Sequence, residues 1–160
     1  TGKIRTREIM GRSFGFMKQK GKYMVDRFMK AQEMSYQSAL QEIKKGRKTG
    51  HWMWYIFPQL KGLGRSRTSQ YYGIDGLEEA EEYMADPVLR GRLIEISTAL
   101  LSCQGKSAEE IFGTVDARKL RSSMTLFKRT SPEEKVFAQV LDKYFQGRED
   151  GRTLSMLGMA

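Results

Sequence analysis

Residues 50–69, GHWMWYIFPQLKGLGRSRTS, gather the single histidine, both tryptophans and a tyrosine, then change abruptly to glycine, arginine and hydroxyls. Such residues have a shared use. An indole can stack on a ring, a guanidinium can grip anionic oxygens, and an imidazole carries a proton near neutral pH. The stretch therefore suits one wall of a pocket for a nucleotide-like or other phosphate-bearing small molecule. The ligand-binding candidates are Trp52, Trp54, Gln59, Arg65, Ser66 and Ser69, with His51 as a catalytic candidate. A second reading is equally physical: the aromatics are core, each taking roughly 150–250 Å² out of water, and the serines only cap a helix. The glycines do not decide between the two. A phosphate loop needs a lysine after its second glycine, and the dinucleotide fingerprint needs a third glycine and a preceding strand.

A second polar cluster lies in KLRSSMTLF, residues 119–127. Ser122, Ser123 and Thr125 fall within a segment whose Leu120, Met124 and Phe127 repeat at helical spacing, although hydroxyl residues are poor helix formers. At 100° per residue Lys119 and Ser123 lie beside that apolar stripe and border the core. They are either small residues for close packing or a polar pocket wall, and Lys119, Ser122 and Ser123 join the ligand-binding candidates. The binding reading requires the tryptophan segment to fold against this helix with a hollow between them.

The elements that must position these residues are helical. Phe28, Gln32, Tyr36, Ala39, Leu40 and Ile43 recur every three or four positions, and Gly46 after Lys44 and Lys45 closes a helix over about 26–45. Asp75 is placed to cap a second helix, with Leu77, Ala80, Tyr83 and Met84 turned inward. Asp86 and Pro87 open a third, with Leu89, Leu93, Ile96 and Leu100 buried. Ser107 with Glu110, and Ser131 with Glu134, have capping-box spacing. Val136, Phe137, Val140, Leu141, Tyr144 and Phe145 form a last apolar face. HWMWYIF is too uniformly apolar to show a period and is read as a short buried helix or extended segment. Alternating strands are not evident, so the fold class is all-α: a single compact multi-helix domain over 25–160, behind a basic N-terminal arm over 1–24.

At 160 residues the chain is long enough for one core, and no apolar run reaches the roughly 18 residues of a membrane span. The net charge of +9 comes entirely from the first 50 residues, where thirteen Lys and Arg face four acids. Such an arm is a solvated tail, a targeting remnant or a contact for nucleic acid or a protein partner. The lone Cys103 forms no internal disulfide and fits a reducing compartment. The cytoplasm is the expected location, or an organelle if the arm is a targeting remnant. No metal site and no cofactor are expected, because His51 lacks companions at ligand spacing.

GHWMWYIFPQLKGLGRS, EAEEYMADPVLRGRL, IFG with DARKLRSSMTLF, and YFQGREDGRT together resemble the family called domain of unknown function 1810, over about residues 26–155. The resemblance implies a compact, mainly helical intracellular domain. The calpastatin label carried by some members does not suit a chain with this many core aromatics, since such calpain inhibitors are disordered. RTSQYYGI, DPVLRGRL and FGTVD also resemble patterns in helical N-glycosidases that act on ADP-ribose-linked or riboflavin-pathway compounds, which implies a glycosidic-bond hydrolase. Where that family has an acidic residue after the serine, this chain has Gln70. The chemistry would need another carboxylate, and Asp116 and Asp75 are the candidates, Asp116 standing as the catalytic choice.

Overall fold

The computed structural model describes residues 23–159, so the basic arm lies outside the described residues except for Tyr23 and Met24. Tyr23 donates its phenolic hydrogen to Glu78 at 2.8 Å. Among the described residues there are nine helices and no strand, and the extended pairing is one isolated parallel bridge, Leu60 with Ile74.

Helix α1 spans Asp26–Lys44 and buries the six residues that its periodicity selects. It closes where Gly46 takes a φ of 78°. The N–H groups of Gly46 and Arg47 return to the carbonyls of Ile43 and Glu42 at 2.8 and 3.0 Å, so the last turn is satisfied. The opaque aromatic run forms the four-residue helix α2, Met53–Ile56. Helix α3, Arg67–Tyr72, follows.

Two expected caps are corrected. Helix α4, Leu77–Ala85, starts from Gly76 at a φ of 114°, and Asp75 does not cap it. The reason is Glu79, whose carboxylate is drawn inside by Arg27 at 2.6 Å and itself accepts the Asp75 N–H at 2.7 Å. Glu79 thus occupies a buried position, leaving Leu77 only half-buried. Likewise α8, Val136–Phe145, starts from Lys135 without the Ser131–Glu134 box. Glu134 is engaged by Arg90 of the neighbouring helix instead.

That neighbour is α5, Pro87–Ser102, whose Asp86 cap accepts from the N–H groups of Val88 and Leu89 at 2.9 and 3.1 Å. Substituting Asp86→Ala is expected to cost about 1 kcal/mol. In a thermal melt that is a drop of roughly 2–4 °C for a chain of this size. A short α6, Ala108–Phe112, carries the complete Ser107–Glu110 capping box.

Helix α7, Thr114–Thr130, lies at the centre, packed against α4, α6 and α8 and against the last helix, α9, Gly151–Met156. Its residues from Ser122 to Phe127 are all buried, the pattern of a helix surrounded on every side. Hydroxyls survive there because Ser122 and Thr125 donate to the carbonyls one turn back, Arg118 at 3.2 Å and Arg121 at 2.8 Å. Rings link the layers: Phe28 meets Tyr83 at 5.1 Å, Tyr83 meets Phe127 at 5.3 Å, and Phe127 meets Phe137 at 6.0 Å. One buried core runs from α1 through α4 and α7 to α8.

Candidate functional site

The loop between α2 and α3 is tied near its start to the segment after α3. Ile74 donates to the carbonyl of Gln59 at 2.9 Å, and Lys61 donates to that of Ile74 at 2.8 Å. Gly73 permits this approach, since a Cβ there would sit 2.5 Å from the Lys61 Cα. Gly64 is similarly required: its Cβ would lie 2.4 Å from the Ser69 Oγ. Within the loop Ser66 caps α3 by accepting the Ser69 N–H at 3.1 Å, and it donates to the Ser69 hydroxyl at 3.0 Å. So the serine does cap a helix. It also faces a hollow.

That hollow, about 450 Å³, lies between the loop and α7. The loop contributes Gln59, Leu63, Arg65 and Ser66 to its lining, and α3 contributes Ser69. The facing helix contributes Val115, Arg118, Lys119 and Ser122, a single stripe at spacings of three, one and three. Asp150 and Arg152, at the start of α9, complete the rim. Of the residues selected from sequence, six are brought together: Gln59, Arg65, Ser66, Ser69, Lys119 and Ser122.

The others stand elsewhere. Trp52 is core, 2% exposed, and its indole donates to Glu42 at 3.0 Å. Trp54 lines a separate small cleft that shares Gln59, Ser69 and Lys119 with the hollow. The Lys119 ammonium lies 5.1 Å from the Trp54 ring centroid, covering one of its faces. Ser123 is fully buried in the helix packing, with no hydrogen-bond partner for its hydroxyl among the described residues. His51 is exposed and is not part of the lining. Asp116 pairs with Lys48 at 2.8 Å and approaches Lys119 at 3.7 Å, but it too is outside the lining. Asp75 borders a different depression, beside Arg27 and Tyr71. Neither carboxylate named for glycosidic chemistry therefore borders the hollow.

Sequence reasoning missed Arg118, Asp150 and Arg152. Arg118 had a signal, since it shares the helical stripe of Lys119 and Ser122. Asp150 and Arg152 had none, because they reach the site through tertiary contacts alone. The Asp150 N–H donates to the Thr125 hydroxyl at 2.9 Å. Arg121 donates to the carbonyls of Arg148 and Glu149, at 2.9 and 2.6 Å. Arg129 grips the Glu149 carboxylate through two nitrogens at 2.8 and 2.7 Å, latching the segment before α9 onto α7.

The lining is strongly cationic: Arg65, Arg118, Lys119 and Arg152 face one carboxylate, Asp150. Among the described residues the guanidinium groups of Arg65, Arg118 and Arg152 make no hydrogen bond or ion pair. No group of three or more His, Cys, Asp or Glu among the described residues could hold a metal ion.

The family described as protein of unknown function (DUF1810) matches residues 22–157. The chain belongs to this family. This DUF1810 protein is also similar to the conserved hypothetical protein Rv1873 from Mycobacterium tuberculosis, known from a crystal structure. The two are 45% identical, with a TM-score of 0.85, over 88% of this chain and 100% of that one. No curated protein matches the chain. Among the described residues, no helix is long and apolar enough to cross a membrane.

Glu42 anchors the segment leading into the site. Its carboxylate accepts the N–H groups of Thr49 and Gly50 at 2.7 and 2.8 Å, as well as the Trp52 indole. Burial pushes its pKa up, but these bonds, those of Gly50 and Thr49 foremost, outweigh it and hold the carboxyl below its ordinary range. A depressed pKa stabilises the fold fully above the unfolded carboxylate value, and that contribution is lost as pH falls through the folded one. Unfolding in urea should therefore become easier from pH 6 to pH 3, with a smaller change in Glu42→Gln. Equal slopes for the two proteins would remove this role.

Proposed function

We propose that the hollow between the α2–α3 loop and α7 binds a phosphate-bearing small molecule. The observation that carries this reading is the set of three arginines with no protein partner among the described residues, placed around one concavity and joined by Lys119 and the hydroxyls of Ser66 and Ser69. Guanidinium groups match phosphate oxygens through paired N–H donors, and charge-assisted bonds of this kind are about twice as strong as neutral ones. Keeping several unpaired cations together is otherwise unfavourable, and a bound anion relieves their repulsion. The volume falls within the range of about 300–1,000 Å³ typical of small-molecule sites. A nucleotide base has less support than the phosphate, because Trp52 is packed away and one face of Trp54 is covered by Lys119.

Isothermal titration at low salt with inorganic pyrophosphate and with a nucleoside diphosphate tests the proposal. Saturable binding that weakens as salt rises is the expected result. Absence of heat with both probes at millimolar concentration, together with unshifted melting temperatures, would refute it.

A further inference from the structure

Asp150 is at odds with a site built only to attract anions. It is the one carboxylate in the lining, set among four cations, yet it forms no ion pair with any of them among the described residues. One of its oxygens, Oδ2, is committed to capping α9, accepting the Thr153 N–H at 3.0 Å and the Thr153 hydroxyl at 2.5 Å. The other, Oδ1, has no hydrogen bond among the described residues. The backbone around it is fixed by the Thr125 hydroxyl, so the carboxylate is held in place.

A carboxylate in this position repels a second anionic group of the ligand and accepts only a donor. A cationic donor is disfavoured by Arg65, Arg118, Lys119 and Arg152. A neutral hydroxyl is not. The hollow offers no aromatic side chain for a base to stack on, and its remaining polar groups, Ser66, Ser69, Ser122 and Gln59, are themselves suited to hydroxyl partners. We infer that the ligand is a sugar phosphate, with its phosphate against the arginines and a sugar hydroxyl donating to the free oxygen of Asp150. The inference rests on the phosphate-binding reading above and adds to it the chemistry of the ligand's other end.

Titrations of the full chain with ribose 5-phosphate, n-pentyl phosphate and inorganic phosphate separate the two ideas. The two esters have the same number of carbons and differ in the hydroxylated ring. Ribose 5-phosphate should bind about tenfold or more tighter than pentyl phosphate, the strength of one hydrogen bond to a charged group. In Asp150→Asn the preference should fall to about twofold or less, while inorganic phosphate binds as well as before or better, because a negative charge has gone. Asparagine retains the capping oxygen, so α9 should persist, which circular dichroism and a thermal melt would verify. If the wild-type protein binds both esters equally, or Asp150→Asn keeps the full preference, the sugar assignment is overturned and the phosphate site stands. If none of the three probes binds, both fail together.

Discussion

A protein carrying both Arg65→Ala and Arg118→Ala should bind pyrophosphate about 100-fold more weakly than the unaltered chain, since each charge-assisted bond is worth roughly 1.5–3 kcal/mol. Fold stability should hardly move. Arg65 and Arg118 are exposed, and neither guanidinium has a partner among the described residues, so the truncations break no structural contact. They approach the hollow from opposite walls, one on the α2–α3 loop and one on α7, which makes the pair a test of the shared cavity. Each single variant should lose about tenfold, and the melting temperature should stay within about 2 °C, as for surface substitutions generally. Affinity unchanged in the double variant would move phosphate recognition away from this hollow. A collapse of the melt would instead reveal a structural role for these arginines.

Truncating Phe127 to alanine is expected to destabilise the fold by about 3–5 kcal/mol, through lost burial and the cavity left behind. Phe127 is fully buried on the central helix, with the Tyr83 ring on one side and the Phe137 ring on another. The void would open where α4 and α8 both pack against α7. A urea titration should show a lower midpoint with an unchanged slope. Phe127→Leu should recover most of the loss, because it restores much of the volume. A cost below about 1 kcal/mol for the alanine variant would mean that the ring chain does little to hold the layers together.

The helices were legible because their signals are local. Leu89, Leu93, Ile96 and Leu100 are spaced for one face, Asp86 and Pro87 mark its start, and all of these take the expected positions. Likewise the closure of α1 at Gly46 needs only its own last turn. Where the two caps failed, a distant arginine had drawn in a nearby carboxylate: Glu134 itself at α8, and at α4 Glu79, which then accepts the N–H of Asp75, the expected cap. Glu79 pairs with Arg27 and Glu134 with Arg90, partners 52 and 44 residues away. A charged pair at that separation outweighs a local cap, and nothing in the local spacing announces it.

The lining of the hollow divides along the same line. Arg65 and Ser66 of the loop, Ser69 of α3 and Lys119 and Ser122 of α7 could be chosen from residue type, because cations and hydroxyls in a short span are uncommon in a core. Residue type alone did not place Trp52 and His51, which lie outside the lining, since an indole serves equally well as packing and a lone histidine equally well as surface. Arg118 could have been found from the stripe it shares with Lys119. Asp150 and Arg152 could not.

The order of hydrophobic and capping residues along the chain was thus enough, by itself, to determine a helical body and the two polar segments it carries. Whether those segments face each other, and that a third from the C-terminal end joins them with its carboxylate, was decided by tertiary packing. Periodicity fixes which side of a helix is buried, whereas long-range ion pairs and hydrogen bonds between segments fix what that side meets.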